Sequence, residues 1–152
     1  MPTSFRRRLA DADFWERHAN PASGWSRVPT GPLLVYAVYT RNWRLLAATV
    51  AFVAVNPVLF AEPDSVADES WMTKGVRGEQ LWVQGADAGR ANLLNVLNVP
   101  VFCYALYSAV RRRPARTAAL TALAMILKLA FVGRMVKLYE RETGRETGGE
   151  RG

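Results

Sequence analysis

Two long apolar segments joined by a short basic turn constrain this chain more than any other feature. Residues 91–110 and 117–139 are mostly apolar, and residues 111–116 between them hold four arginines. A helix rises about 1.5 Å per residue and the hydrocarbon core of a bilayer is about 30 Å thick, so both segments are long enough to cross it. The sequence therefore predicts two membrane-spanning helices with the basic turn between them.

Two further apolar stretches, residues 33–40 and 45–61, lie on either side of the basic segment 41–44. Eight residues of helix reach only about 12 Å, which is too short to cross a bilayer. Two interpretations fit this pattern. Residues 33–60 form one long, tilted helix, or residues 33–40 are a re-entrant or interfacial piece and residues 45–61 are the first complete span.

The polar parts of the chain lie outside these segments. Residues 3–18 carry apolar side chains at helical spacing among arginines, which predicts a short amphipathic helix. Residues 19–32 hold three prolines and two glycines and are predicted to be irregular. Residues 62–91 hold six acids and are predicted to form an ordered loop with a short helix along the membrane surface. Residues 140–152 have no apolar face and are predicted to be disordered.

The charge of the chain points to a lipid surface. The 152 residues include 20 Lys and Arg against 13 Asp and Glu, a formal net charge of +7. Arginine clusters at residues 6–8 and 111–113 flank apolar segments, which favours anionic lipid headgroups and not nucleic acid as the partner. One cysteine, Cys103, excludes an intramolecular disulfide and a Cys-rich zinc site. No catalytic, cofactor-binding or metal-binding motif is recognised, so no cofactor is predicted.

These features predict an all-α fold, a small multi-pass transmembrane helical bundle over residues 1–139 with an N-terminal amphipathic helix and a disordered C-terminal tail. Counts of basic residues on the two sides of the membrane place the N-terminus in the cytoplasm, whether the chain crosses three or four times. The four-crossing count has the larger cytoplasmic excess but leaves residues 111–116 outside. The number of crossings stays open, and the expected location is a prokaryotic cell membrane.

Seven polar residues are candidates for a functional site. Lys128 stands at the middle of residues 117–139, where a charged group costs about 2.5–3.5 kcal/mol to insert. The alternatives for Lys128 are a contact to substrate, ion or lipid phosphate, a buried pair with Glu79, or a snorkelling side chain. Three asparagines share one helix side, as a polar seam or a pocket lining, and His18 caps, packs or transfers protons. The candidates are Lys128, Asn92, Asn95, Asn98, Glu79, Arg134 and His18.

All five tryptophans are predicted to anchor the protein at the membrane surface. An indole ring has an apolar body and one N–H donor, so it favours the headgroup layer over either water or hydrocarbon. The predicted anchors are Trp15, Trp25, Trp43, Trp71 and Trp82.

Four phrases occur in this chain in the order in which a known family carries them. They are HANP with SGWSR at residues 18–27, NPVLF at 56–60, WMTKGV with the following Gly-Glu and Trp at 71–82, and KLAFVGRMV with LYE at 128–140. The chain resembles, over about residues 14–140, a family of small archaeal and bacterial membrane proteins of unknown function. The resemblance implies a helical integral membrane protein and no activity.

Several functions are open at this stage. The first is a structural or partner-binding membrane component, because small residues such as Ala118 and Ala122 allow close packing on another helix. The second is an oligomeric transporter or channel subunit, with Lys128 and the asparagines lining a polar path. The third, a membrane enzyme acting on lipids, lacks a nucleophile–base pair, and a soluble basic bundle is a fourth. The expected partners are the bilayer, its anionic headgroups, and a second copy or another membrane protein, with no nucleic acid.

Overall fold

A computed structural model describes residues 12–60 and 70–149, and all regular structure in these ranges is helical. This confirms the all-α class for the described chain. The helices are α1 (Ala12–His18), α2 (Pro21–Arg27), α3 (Thr30–Thr40), α4 (Trp43–Leu59), α5 (Trp71–Val83), α6 (Ala91–Val110) and α7 (Pro114–Gly149). Residues 3–11 of the predicted amphipathic helix, and residues 61–69 of the apolar-to-polar transition after α4, lie outside the described residues.

The chain divides into two compact units, and both include part of α7. The polar unit comprises the described residues within Met1–Gly24, Pro57–Gly89 and Val132–Gly152. The apolar unit comprises Trp25–Asn56 and Arg90–Phe131. The single domain predicted over residues 1–139 is thus organised as two units.

α3 and α4 are separate helices because the backbone reverses at Arg41. This residue adopts a left-handed conformation with φ of 60°, and the N–H of Asn42 donates to the carbonyl of Ala37 at 2.9 Å, which closes α3. The Asn42 side-chain oxygen then accepts from the N–H of Leu45 at 3.0 Å and caps α4. The structure therefore excludes one continuous helix over residues 33–60.

Helices also replace the irregular backbone expected over residues 19–32. Pro21 takes the first position of α2, where the missing N–H removes no hydrogen bond, and Asn20 accepts from the N–H of Ala22 at 2.8 Å. Pro29 and Pro32 occupy the cap and first turn of α3, where proline is equally tolerated. The prolines begin helices here, which corrects the expectation drawn from their number.

The polar unit has a small apolar core between α1 and α5. Trp15 and Ala19 of α1 are buried against Val76 of α5, and Phe14 packs at the edge of this cluster. The Thr73 hydroxyl of α5 donates to the carbonyl of Ala19 at 2.8 Å. Trp15 is therefore a core residue of this unit, which corrects its prediction as an interfacial anchor, because a buried ring does not reach lipid.

Two glycines of α5 bring this helix close to the second half of α7. A Cβ atom built on Gly75 lies 2.6 Å from the Cγ1 atom of Val132, closer than real Cβ contacts. A Cβ atom on Gly78 collides with the carbonyl group of Met135. The Gly-Val-Arg-Gly segment thus serves helix packing within the polar unit.

α7 continues to Gly149, which corrects the disordered tail predicted from residue 140 onward for the part that the structure describes. Glu140 pairs with Lys74 of α5 at 2.9 Å, and Arg141 donates to the carbonyl of Asp87 at 2.9 Å. Glu142 and Arg145 pair at 3.1 Å one turn apart. Charged side chains therefore support these turns, whereas the sequence argument considered only an apolar face.

The apolar unit packs through small side chains. Ala105 and Ala109 of α6 are fully buried against Val35 of α3, where their size lets the two helices approach closely. α6 and the segment Pro114–Arg145 of α7 are long and apolar enough to span a bilayer. α4 is a shorter apolar helix of 17 residues. α6 also has the bounds of the segment predicted over residues 91–110.

Candidate functional site

Charge divides the two units sharply. The apolar unit contains nine of the 20 Lys and Arg residues and none of the 13 Asp and Glu residues, so no carboxylate side chain within the unit neutralises them. The nine basic residues are Arg27, Arg41, Arg44, Arg90, Arg111, Arg112, Arg113, Arg116 and Lys128.

Most of these bases gather at two adjacent turns of the apolar unit. Arg41, in the turn between α3 and α4, donates from Nη2 to the carbonyl of Val110, the last residue of α6, at 3.0 Å. This bond brings the α3–α4 turn to the α6–α7 turn. We call this region the arginine end, and its bases are Arg41, Arg44, Arg111, Arg112, Arg113 and Arg116.

A small cavity of about 70 Å³ lies at the arginine end, between the last turn of α6 and the first turn of α7. It is lined by Tyr107, Ser108, Arg111, Arg113 and Arg116. Arg112 is left-handed, with φ of 51°, and it does not line the cavity, whereas its two neighbours do. The tight turn thus presents alternate arginines to one space.

Ser108 of α6 lines this cavity, and Tyr104, one turn earlier, contacts one of its arginines. The Ser108 side chain is 1% exposed, and its hydroxyl oxygen has no hydrogen-bond partner among the described residues. Arg116 donates from Nη1 to the Tyr104 hydroxyl at 3.0 Å, and its guanidinium lies 5.8 Å from the centre of that ring. Tyr104 therefore holds one of the cationic groups in place.

An apolar groove of about 470 Å³ runs between α3 and the first half of α7. Tyr36 and Tyr39 of α3 line one side, and Ala118, Thr121 and Ala122 of α7 line the other. Ala118 and Ala122 are exposed, as are the other two members of the predicted small-residue face, Ala115 and Ala119. The groove therefore leaves small side chains uncovered.

Lys128 lies within the apolar stretch of α7. It belongs to the apolar unit, and it stands close to the middle of the segment Pro114–Arg145 that is long and apolar enough to span a bilayer. Its side chain is exposed, and Nζ lies 5.5 Å from the centre of the Phe131 ring. The roles predicted for Lys128, snorkelling among them, stay predictions.

The three asparagines lie in the first half of α6. Asn92 is exposed, whereas Asn95 and Asn98 are half-buried. The Asn98 side-chain oxygen is buried with no hydrogen-bond partner among the described residues. Arg116 donates a hydrogen bond to Tyr104, which fixes where α6 and α7 lie side by side. Lys128 is twelve residues after Arg116 and Asn92 is twelve residues before Tyr104. Because the two helices are antiparallel, Lys128 and Asn92 lie at a similar distance from the α6–α7 turn.

The other candidates belong to the polar unit. Glu79 of α5 is half-buried and Arg134 of α7 is exposed. The His18 ring stacks on Phe14 at 5.3 Å between centres and meets the Trp15 ring edge-on at 5.7 Å, so it packs at the aromatic core of the unit. Three of the seven candidates belong to the polar unit and four to the apolar unit. In neither unit do the described contacts join its candidates into one cluster.

The remaining tryptophans differ in exposure. Trp43 of α4 and Trp25 of α2 are more than half exposed, and Trp43 is next to the arginine end in sequence. Trp71 is also exposed, whereas Trp82 is half-buried. Their position at a membrane surface stays a prediction.

Sequence reasoning missed Ser108 and Tyr104. Both lie within an apolar segment and carry no charge, so neither stands out by composition. Their spacing offers a weak signal, since Tyr104 and Ser108 are four residues apart and share a helix side leading to the basic turn. Only the turn geometry joins this side to the arginines.

The comparisons with known proteins agree with the resemblance in one respect, the lack of a known activity. No curated protein and no solved structure matches the chain. A family model covers residues 6–150, which is nearly the whole chain. The chain therefore belongs to DUF6653, a family of unknown function.

Proposed function

We propose that the protein is an integral membrane component, with its apolar unit in the bilayer, that binds a partner helix there. One observation carries this proposal: the apolar unit exposes most of its large apolar side chains, and most of the residues that it buries are small or polar. Leu93, Val96 and Val99 of α6 are each more than half exposed, whereas Ala105 and Ser108 of the same helix are buried. This distribution is typical of helices whose surroundings are lipid tails.

The low burial of α6 and α7 supports the same proposal. Only 17% of the apolar window of α6 and 28% of that of α7 are buried, whereas a core helix of a water-soluble protein is mostly buried. Leaving such a surface in water is unfavourable by about 25 cal/mol per Å² of apolar area. A bilayer removes this cost.

The contacts within each unit favour four crossings. Trp15 of α1 and Val76 of α5 share a core, so these segments lie on one side of a bilayer, as four crossings require and three do not. In the apolar unit, Asn56 near the end of α4 donates to Ser26 at 2.9 Å. The two ends of residues 26–56 therefore meet, as expected of a segment that enters and leaves the membrane on one side.

The orientation follows from the positive-inside rule. With four crossings, more Lys and Arg residues flank the side that carries both termini than the side of the arginine end. The proposed protein therefore has both termini in the cytoplasm and the arginine end on the opposite face.

Fractionation with a reporter at the C-terminus tests location and topology together. The reporter is one that is active only in the cytoplasm. The expected result is that the protein stays in an alkaline-washed membrane pellet and that the reporter is active. Retention with a silent reporter contradicts four crossings with a cytoplasmic N-terminus. Release of the protein into the soluble fraction contradicts the membrane function altogether.

The groove between α3 and α7 supports the partner-binding part of the proposal, with a second copy of the chain as the partner. Ala118 and Ala122 form a small-xxx-small pattern, which packs closely on an identical helix in membranes, and two-fold dimers are the commonest closed assemblies. Ala118→Leu is expected to convert a dimer in detergent to a monomer. Ala119→Leu is the control, because Ala119 is exposed but does not line the groove.

Light scattering on the purified protein in a mild detergent gives the mass of each variant. A monomeric parent protein, or a dimer that Ala118→Leu leaves intact, contradicts the second copy as the occupant of the groove. Neither result affects the fractionation test, so the two parts of the proposal fail separately.

A further inference from the structure

The cavity at the arginine end combines three independent features that favour an anion. Arg111, Arg113 and Arg116 line it, and a guanidinium presents a planar set of N–H donors that matches phosphate oxygens. The apolar unit has no carboxylate side chain, so no acid of this unit neutralises these groups. Positive charge without internal compensation attracts an anion from outside.

Ser108 supplies the second feature. Ser108 is among the residues that line the cavity, and its hydroxyl is buried and has no hydrogen-bond partner among the described residues. A buried polar group without a partner is costly, so native structures rarely keep one unless a ligand or water satisfies it. An oxyanion in the cavity is an acceptor for this hydroxyl.

The start of α7 supplies the third feature. The first intrahelical bond runs from the N–H of Thr117 to the carbonyl of Arg113, which makes Arg113 the cap residue. An arginine side chain has no acceptor for the first N–H groups of the helix. The positive end of the helix dipole therefore faces the same region as the arginines and lacks the usual acidic or hydroxyl cap.

We infer that this cavity binds a phosphate group. Its volume of about 70 Å³ suits one tetrahedral anion and not an extended ligand. Arg111, Arg113 and Arg116 bind its oxygens, and Ser108 donates a hydrogen bond to it. Tyr104, through its bond to Arg116, is a positioning residue.

The phosphate has two chemical sources, the headgroup of an anionic phospholipid and a soluble phosphate. In its lipid form the inference rests on the proposed membrane function, because only a bilayer brings a headgroup to this turn. The soluble form does not depend on a bilayer. The test therefore measures both probes on the full-length protein in a phosphate-free maltoside detergent.

The probes are short-chain phosphatidylglycerol and inorganic phosphate, and the readout is the apparent dissociation constant of each. Ser108→Ala removes only the buried hydroxyl, and Arg113→Gln removes one guanidinium that lines the cavity. Arg112→Asn is the matched control, because Arg112 has the same charge in the same turn but does not line the cavity. Asparagine tolerates its left-handed backbone.

Ser108→Ala and Arg113→Gln are each expected to weaken binding of at least one probe by about tenfold, as for loss of a hydrogen bond to a charged group. Arg112→Asn is expected to weaken it by less than about threefold, through general screening of charge. Circular dichroism checks the helical content of each variant. If Arg113→Gln does not fold, Ser108→Ala still tests the site, since it removes a single atom.

Binding of phosphatidylglycerol alone identifies a lipid headgroup, and competition by inorganic phosphate identifies a soluble source. Equal weakening by all three variants overturns the inference, because it shows only a basic surface. Absence of binding by both probes also overturns it. The two proposals can also fail separately. If the protein is released from alkaline-washed membranes but binds inorganic phosphate in a way that depends on Ser108, the membrane function is contradicted and the phosphate site is supported.

Discussion

The two units of this chain differ in the side chains that they bury. The polar unit buries Trp15, Met72 and Met135 and pairs its charges across helices, as Lys74 does with Glu140. The apolar unit buries mostly alanine, serine and threonine and exposes most of its valine, leucine and isoleucine side chains. One amino-acid sequence thus contains two packing patterns, and the proposed function assigns a different solvent to each.

Net charge follows the same division. All 13 acids belong to the polar unit, whereas the apolar unit has nine bases and no acid. The overall charge of +7 therefore conceals one unit that is slightly acidic and one that is strongly basic. The net charge of the whole chain therefore says little about the surroundings of either unit, because the acidic and basic residues are unevenly divided between them.

The largest expected effect is in the polar unit, at Gly78. Gly78→Val places a branched side chain against the backbone of Met135, which must move, so we expect a loss of about 3 kcal/mol in the free energy of unfolding. The measurement is the denaturant midpoint of the purified protein. Gly144→Ala is the control, since its Cβ meets open space in a helix and is expected to stabilise by about 0.5–1 kcal/mol. Equal effects of the two changes contradict close packing of α5 on α7.

The next effect tests the solvent of the apolar unit directly. Val99 of α6 is 60% exposed and Val83 of α5 is 50% exposed, so the two valines are matched by exposure. In a bilayer, Val99→Asp costs about 2.5–3.5 kcal/mol and lowers the fraction of protein integrated in the membrane. Val83→Asp, in the polar unit, is expected to change stability by less than about 0.5 kcal/mol.

Pulse labelling followed by alkaline extraction gives the integrated fraction for each variant. If Val99→Asp integrates as well as Val83→Asp, then α6 faces water and the comparison between the units breaks down. If only Val99→Asp lowers the integrated fraction, the difference between the two units is supported.

The sequence predicted the apolar unit better than the polar one. Hydropathy alone predicts the bounds of α6, because a mostly apolar stretch of this length between polar ends has few alternatives. For residues 33–60 the sequence left two interpretations open, one continuous helix or two segments, because the break between α3 and α4 depends on Arg41 in a left-handed conformation that usually indicates glycine. Extension of α7 to Gly149 depends on partners distant in sequence, such as Lys74, which no local rule detects.

The candidate site shows the same limit. The sequence singles out Lys128 as a charge among apolar neighbours, but the exposure of its side chain and its place beside the Phe131 ring require the structure. Ser108 was not identified, because an isolated serine in an apolar helix carries no signal until the turn places arginines around it. Charge in a hydrophobic segment is visible in a sequence, whereas an unsatisfied hydroxyl is visible only in three dimensions.

A smaller effect compares one polar contact from each unit. Double-mutant cycles on Asn56 and Ser26 are expected to give a coupling of about 0.6 kcal/mol, the average for hydrogen bonds between membrane helices. The Lys74–Glu140 pair, which is partly exposed, is expected to give about 0.2–1 kcal/mol and to weaken with added salt. The Asn56–Ser26 coupling is expected to be insensitive to salt, measured as unfolding free energy in micelles at low and high ionic strength. A matching loss of both couplings in salt contradicts different solvents for the two units.

The smallest effect is expected at Lys128. Because its side chain is exposed on α7, we expect the ammonium group to snorkel to the headgroup layer, and Lys128→Met is then expected to change the unfolding free energy by less than about 0.5 kcal/mol. Leu123→Lys, at an exposed position more than one turn earlier in the same apolar stretch, is expected to be clearly destabilising. If Lys128→Met instead raised the unfolding free energy by about 2.5–3.5 kcal/mol, this lysine would lie at mid-bilayer, because the substitution would remove the cost of inserting a charge there. That result would place Lys128 at the centre of the last span, where only a paired or functional charge is stable.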